Sequence, residues 1–522
     1  LVGRNWRSMS NCYSTATVYG DADIGGLVGS GGDETNCFWD AEASGLADSA
    51  GTGGLSTAAM GDIQTYLEAG WDFLGEIQNG FHETWQMPEG GGYPVLSAFN
   101  GYIPPQLPGK GTPEDPYLIS EAMELGTAYY SPGGCYKLVA SVDLSGITWS
   151  AAALPAFAGV FDGNGQTIEN LTISGKGLIG LFGWLQKGSQ VKNLGVVDAN
   201  VVGGDYENGI LAGCNLGGVI NCYTSGHIQA SGYVGGLIGN NERGSIIDCH
   251  STAFVRGGGD VGGLIGRNLD GIVDNCHSSG SVYGRDVNDT VGGLIGSNHH
   301  QGNVSNSYST GVVCGIVSDG DGRRWGSVGG LVGANTYGRL IDCYSTSTVA
   351  GDNNVGGLVG RNGISGWGPG LAGIVANCCS TGEVSGNTSL GGLLGCNEKG
   401  RIDNCYSTAA VTGDVQIGGL GGRNEDSISN CYSTGTVAGN IDVGGLLGHS
   451  RGDVTDSFWD IETSGLTSSY GGTGKTTGEM QTPDTFLEAG WDFIDETANG
   501  TEDVWWIPEG QDYPRLRWES SN

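Results

Sequence analysis

The chain has 522 residues, 102 of them glycine, with a net charge of −34 and only 15% charged residues. That acidity repels nucleic acid and anionic membranes, while the 38% hydrophobic content excludes a disordered polyelectrolyte. Glycine shows no strict three-residue period, which excludes collagen, and no apolar run is long enough to insert in a membrane in this segment.

Residues 1–35 read as the last coils of one β array, because their words return late in the chain. Leu1, Arg4, Asn5 and Cys12 match Leu420, Arg423, Asn424 and Cys431 at an offset of 419. "FWDAEASGL" (38–46) returns as "FWDIETSGL" (458–466), and "LEAGWDF" (67–73) returns at 487–493, both at an offset of 420. Leu1 therefore corresponds to a position inside a coil, and the expectation is a piece of a longer protein built from repeated modules. Residues 36–99 form the terminal cap of the first array, rich in aromatic residues. The linker is 100–116, "NGYIPPQLPGKGTPEDP", rich in Pro and Gly. A second array spans 117–455, with a short helix near Ser120 expected to block the open edge of its first coil. Residues 456–522 are its terminal cap.

Within the second array one phrase recurs: "VGGLIG-x-N … N/D-C-Y/H-S-T … V-x-G". GG pairs start at Gly235, Gly262, Gly292, Gly329, Gly356, Gly391, Gly418 and Gly444, at intervals of 26 to 37 residues. Nothing in the unit has a helical period, and its short Val/Ile/Tyr/Thr runs are separated by Gly and Asn. One solenoid coil per unit follows, with parallel strands stacked ~4.8 Å apart. The fold class is thus all-β, a parallel β-helix of glycine-rich coils with small irregular α/β caps. Leu and Ile of "GGLIG" are expected inside, with Gly at corners needing positive φ. Asn268, Asn298, Asn335, Asn362, Asn397 and Asn424 share one turn position and are expected to bond to one another and to turn backbone; Ser450 and Gly31 replace this Asn before each "FWD" segment. Cys12, Cys222, Cys249, Cys276, Cys343, Cys378, Cys405 and Cys431 also share one position, which argues for buried thiols stacked coil on coil and against CxxC pairs or a zinc site.

These phrases resemble the GLUG motif repeat of bacterial and archaeal surface proteins, and "FDGNGQTIENLTI" (161–173) resembles the opening coil of such arrays and of pectate-lyase-like β-helices. The resemblance implies a parallel β-helix and an extracellular or cell-surface setting. It carries no catalytic residue onto this chain.

Three motifs are weaker than they look. "GGTGKTT" (471–477) has Ser469 where a phosphate loop needs Gly, and "FHETW" (81–85) has Gln86 where a zinc peptidase helix needs its second His. Asp260, Asp270, Asp286, Asp289, Asp319, Asp321, Asp352, Asp414 and Asp442 read as solvated turns, with weak Ca²⁺ binding between stacked turns as the sharper alternative. No other cofactor is expected. Two lengthened loops, 315–327 and 363–373, make Arg323, Arg324, Trp325 and Trp367 candidate ligand or partner contacts. The functional expectation is a non-enzymatic structural or adhesive surface protein: a module of a fibre, stalk or surface layer. Its expected partners are other copies or neighbouring modules joined end to end, and surface glycans or proteins. The alternative is a carbohydrate-binding or polysaccharide-degrading β-helix enzyme, which needs two carboxylates at glycosidase separation in a cleft.

Overall fold

The computed structural model describes residues 1–5, 8–49, 53–100, 106–316, 326–363 and 372–521. One coil of the second array illustrates all of them. Its strands are Asp260–Gly262, Ile265–Leu269, Ile272–Asp274, His277–Ser278 and Val282–Gly284. Each pairs in parallel with the matching strand of the next coil: Asp260 with Thr290, Ile265 with Ile295, Ile272 with Asn303, His277 with Tyr308 and Val282 with Val313. Repetition of this step builds sheets of 9, 11, 13 and 22 strands along the second array.

The interior follows from alternation along these short strands. Val261, Leu264, Ile265, Val273, Cys276 and Val282 have no exposed surface, and each lies over its counterpart in the coil above. Burial of each large aliphatic side chain stabilises the array by roughly 1.5–3 kcal/mol.

The glycine pairs have a different cause from the one expected. Gly262, Gly263 and their counterparts do not adopt positive φ. A Cβ on Gly262 would lie 2.0 Å from the Ile265 carbonyl oxygen, and one on Gly263 would lie 2.2 Å from the carbonyl oxygen of Gly293 in the next coil. Close backbone approach selects glycine there. The left-handed corner is instead taken by the Asn or Asp preceding each stacked Cys or Ser: Asn221, Asp248, Asn275, Asn306, Asp342, Asn377, Asn404, Asn430 and Asp456 all have φ between 47° and 55°. Asn and Asp tolerate that conformation best among residues with a Cβ.

The asparagine ladder is continuous from Asn215 through Asn241 to Asn424. Each Nδ2 donates to the Oδ1 of the Asn in the next coil at 2.8–3.1 Å, and Asn424 hands the chain of bonds to Ser450 Oγ at 3.2 Å. From Asn241 to Asn397 the same Nδ2 also bonds a carbonyl of its own turn, as Asn298 does with Gly302. The cysteine ladder is unbridged, buried from Cys222 to Cys431 and half-buried at Cys12. It is interrupted by Ser307 and ends on Ser457, whose hydroxyls take the cysteine's place. Burial holds the thiols of Cys343, Cys378 and Cys405 well above the ordinary thiol range, so they are unreactive.

The second array opens with strand Tyr117–Ile119, paired with Cys135–Leu138, and helices Ala122–Leu125 and Thr127–Tyr130 follow it. Leu125 and Ala128 close the end of its hydrophobic core, and the Glu124 carboxylate accepts both the backbone N–H and the hydroxyl of Ser120. No helix among the described residues is long and apolar enough to cross a membrane.

Candidate functional site: the aromatic flank and the module junction

The residue after each ladder cysteine faces outward. Register aligns Tyr223, His250, His277, Tyr308, Tyr344, Cys379, Tyr406, Tyr432 and Phe458 into one row. Because coil spacing sets ring spacing, the rings stack nearly parallel: Tyr223–His250 at 5.2 Å, His250–His277 at 4.8 Å, His277–Tyr308 and Tyr308–Tyr344 at 4.7 Å. The N-terminal part of this row is half-exposed, and the C-terminal part is covered by the second cap.

That cap does two things. Strand Thr473–Lys475 adds one partial coil beyond Phe458–Asp460, so "GGTGKTT" is an edge strand running into the helix Thr477–Met480 and not a phosphate loop. The chain then folds back along the aromatic row. Phe486, Trp491 and Trp505 pack on Tyr432 and Phe458, Trp518 stacks on Tyr344 at 5.7 Å, and the Arg515 guanidinium lies 5.7 Å over Tyr406. The first cap repeats this packing on Tyr13 and Phe38 with Tyr66, Trp71 and Trp85. Tyr93 and Tyr513 each donate to the buried carboxylates of Asp40 and Asp460 at 2.7 Å.

The caps differ where the first meets the second array. Phe81 is buried edge-on against Trp149 at 5.4 Å, and His82 stacks on Tyr129 at 4.5 Å while its carbonyl accepts from the Tyr130 hydroxyl. Burial pushes His82 down to about 4 and Asp72, beside it, up to about 7. Asp72 accepts the backbone N–H groups of His82 and Glu83, as Asp492 accepts that of Glu502, so this carboxylate has the same turn-holding role in both caps. The "FHETW" stretch is thus a docking plug. At the equivalent places the second cap carries exposed Thr501 and Glu502.

The junction is lateral. Asn11 Nδ2 donates to Ser150 Oγ at 3.3 Å, and one coil further along both arrays Lys176 Nζ lies 2.9 Å from Asp33 Oδ1. Successive coils of one array therefore face successive coils of the other. Among the described residues the two arrays share no strand pairing. Within this chain the first cap meets the flank of the second array, through Phe81 on Trp149 and Asn11 on Ser150.

Of the sequence-derived candidates, Arg323, Arg324, Trp325 and Trp367 lie outside the described residues, as do Asp319 and Asp321. The remaining acidic turn residues serve mainly as local acceptors. Asp289 takes the backbone N–H groups of Gly259, Arg285 and Asp286, Asp414 takes Asn440 Nδ2, and Asp442 takes the Tyr470 hydroxyl. Among the described residues no cluster of three or more His, Cys, Asp or Glu side chains is placed to hold a metal ion.

Comparison with known proteins bears on the coil itself. A family model described as "The GLUG motif" matches residues 230–255, 257–283, 326–350, 386–412 and 413–438, each one turn of the solenoid. The chain is a parallel β-helix that carries five GLUG-motif coils. The chain resembles halomucin of Haloquadratum walsbyi, at 32% identity over 142 residues, which is 24% of this chain and 2% of halomucin. A Gly-rich protein of Evansella cellulosilytica, provisionally named a membrane protein, is 34% identical over 82 residues, 14% of this chain and 10% of that protein. The chain thus spans a small fraction of the length of either relative. A crystal structure of a Bacteroides ovatus protein, provisionally an immunoglobulin A1 protease, superposes with a TM-score of 0.37 and 24% identity over 46% of this chain and 79% of that one. A superposition that loose carries no functional argument.

Proposed function

We propose that this GLUG-repeat chain is a non-enzymatic structural or adhesive segment of an extracellular surface protein, in which β-helical modules associate flank to flank through their caps. The observation that carries this reading is the built junction: the same cap occurs twice, and one copy bears a plug, Phe81 and His82, seated in the next array. The continuous Asn ladder supports it, with the stacked Cys/Ser and aromatic rows beside it, because such rows fix the height of each coil and make the array a stiff rod. The membrane name of the Evansella relative is consistent with a surface setting.

Immunogold labelling of the producing cells and small-angle scattering of the chain test the two parts. Label at the cell surface is expected, and label confined to the cytoplasm rules out the surface role. Phe81→Asp is expected to release the first module from the second and raise the radius of gyration while leaving the circular dichroism of the coils intact. An unchanged scattering profile in that variant would remove the junction as a docking device.

A further inference from the structure

The outward row just before the asparagine ladder runs, coil by coil, Asn240, Arg267, Ser297, Ala334, Arg361, Cys396, Arg423 and His449. Two arginines thus stand three coils apart, about 14 Å along the axis at ~4.8 Å per coil, with two small residues between them. The gap is a cleft of about 370 Å³, floored by Ser297 and Ala334 and walled by Asp260 and Thr290 on one side and by His299 and Tyr337 on the other.

The charges in this cleft are unbalanced in a way the rest of the row is not. Arg423, in the same row, forms an ion pair with Glu425. Arg267 and Arg361 have no carboxylate within ion-pair reach among the described residues, and the position matching Glu425 is Leu269 in one coil and Gly363 in the other. Arg267 is held in place by its Nη1, which donates to the Tyr233 hydroxyl at 2.7 Å, and by its guanidinium lying 5.0 Å over that ring. The Nε of each arginine is buried and without a hydrogen-bond partner. Leaving a charged donor unsatisfied is costly, and it occurs in both arginines that line the cleft. Desolvation, with Arg267, His300 and Arg361 adding to it, pushes His299 down to about 4, so its imidazole is neutral at pH 7.

The same cleft holds a carboxylate. Asp260 accepts from Ser297 Oγ at 2.5 Å. Asp260 and Thr290 suit hydroxyl groups, not a bare polyanion. A ligand that satisfies both halves carries one anionic group for the arginines and several hydroxyls for the acceptors.

We propose that this cleft binds an acidic sugar, a pyranose bearing a carboxylate or a sulfate, with the positive charges of Arg267 and Arg361 at its two ends drawing in the anionic group and Asp260 and Thr290 taking the ring hydroxyls. The proposal stands apart from the structural role above: a rod that bound no sugar would still be a rod, and a soluble chain could bind one.

Titration calorimetry of the whole chain with methyl glucuronide, glucose 6-sulfate, methyl glucoside and sodium sulfate tests it. One of the two acidic sugars is expected to bind, the neutral glucoside to bind about tenfold more weakly or not at all, and Arg267→Gln and Arg361→Gln each to weaken the acidic sugar by about tenfold. Ala334→Trp, which fills the floor and leaves both charges, is expected to abolish binding, while Arg451→Gln at an exposed turn leaves it unchanged. Circular dichroism confirms that each variant keeps its coils. Absence of binding by both acidic sugars overturns the proposal. So does binding unaffected in the double arginine variant, or inorganic sulfate binding as tightly as the sugar.

Discussion

Replacing Asn298 by Ala removes one link of the buried ladder, and the structure allows its cost to be worked out bond by bond. Asn298 has no exposed surface. Its Oδ1 accepts from Asn268 Nδ2 at 2.8 Å, and its Nδ2 donates to Asn335 Oδ1 at 2.9 Å and to the Gly302 carbonyl at 3.0 Å. The Gly302 carbonyl keeps a second donor, the Arg339 N–H at 2.9 Å, and Asn268 Nδ2 keeps the Gly271 carbonyl at 3.2 Å. One N–H of Asn268 and the Oδ1 of Asn335 are then left buried without a ladder partner. At about 1–3 kcal/mol for each unsatisfied group, the expected loss is about 4 kcal/mol. Asn298→Asp is expected to cost at least as much at pH 7, because a carboxylate cannot donate to Asn335 or Gly302. Asn440 makes one exposed bond, to Asp414, so Asn440→Ala is the control and is expected to cost about 0.5 kcal/mol or less. Global melts average over many coils, so hydrogen–deuterium exchange on peptides spanning 260–345 is the appropriate assay. If Asn298→Ala accelerates exchange there no more than Asn440→Ala does at its own site, the ladder is decoration and the reasoning fails.

Three further outcomes are expected. Asn275, at φ 51°, is expected to tolerate Gly with little change in the denaturation midpoint, while Asn275→Val costs roughly 1–3 kcal/mol because a β-branched residue is strained in the left-handed region. His299 has a folded pKa of about 4, below its unfolded value. The unfolded chain therefore takes up the proton first as pH falls below about 6.5, and stability drops by about 2 kcal/mol between pH 7 and pH 5; urea titrations at the two pH values should show that loss reduced in His299→Asn. A thiol titration of denatured, unreduced protein is expected to find most of the fourteen cysteines free, and Cys276→Ser is expected to be mild because Ser307 already occupies that ladder position one coil on; wholesale oxidation would contradict the stacked-thiol reading.

Much of the solenoid could be read from the one-dimensional chain, because a parallel coil returns the same residue type to the same place. The intervals between GG pairs, the recurrent Asn268, Asn298 and Asn335, and the cysteines at one position each report a row of identical environments, and such rows are visible without knowing the path between them. The 420-residue offset likewise exposed the repeated caps. The reason for each choice was less legible. Glycine looked like a turn former because that is its commonest use, but the pairs are set by a backbone oxygen 2.0 Å from where a Cβ would stand, a distance between strands that no local pattern encodes. The left-handed corner was assigned to the wrong residue for the same reason.

The sites were decided almost wholly by tertiary structure. Arg267 and Arg361 are 94 residues apart, with coils of unequal length between them. Only the strand register shows that Ser297 and Ala334 fall in the gap and leave a cleft. Phe81 and His82 looked like half of a metal motif until the second array was seen to bury them, and their exchange for Thr501 and Glu502 gains meaning only from that contact. Periodic sequence determines what stacks along an axis, since stacking depends on like neighbours one coil away. What meets across the flank depends on loop lengths and on how the caps fold back, and those are settled only when the whole chain is packed.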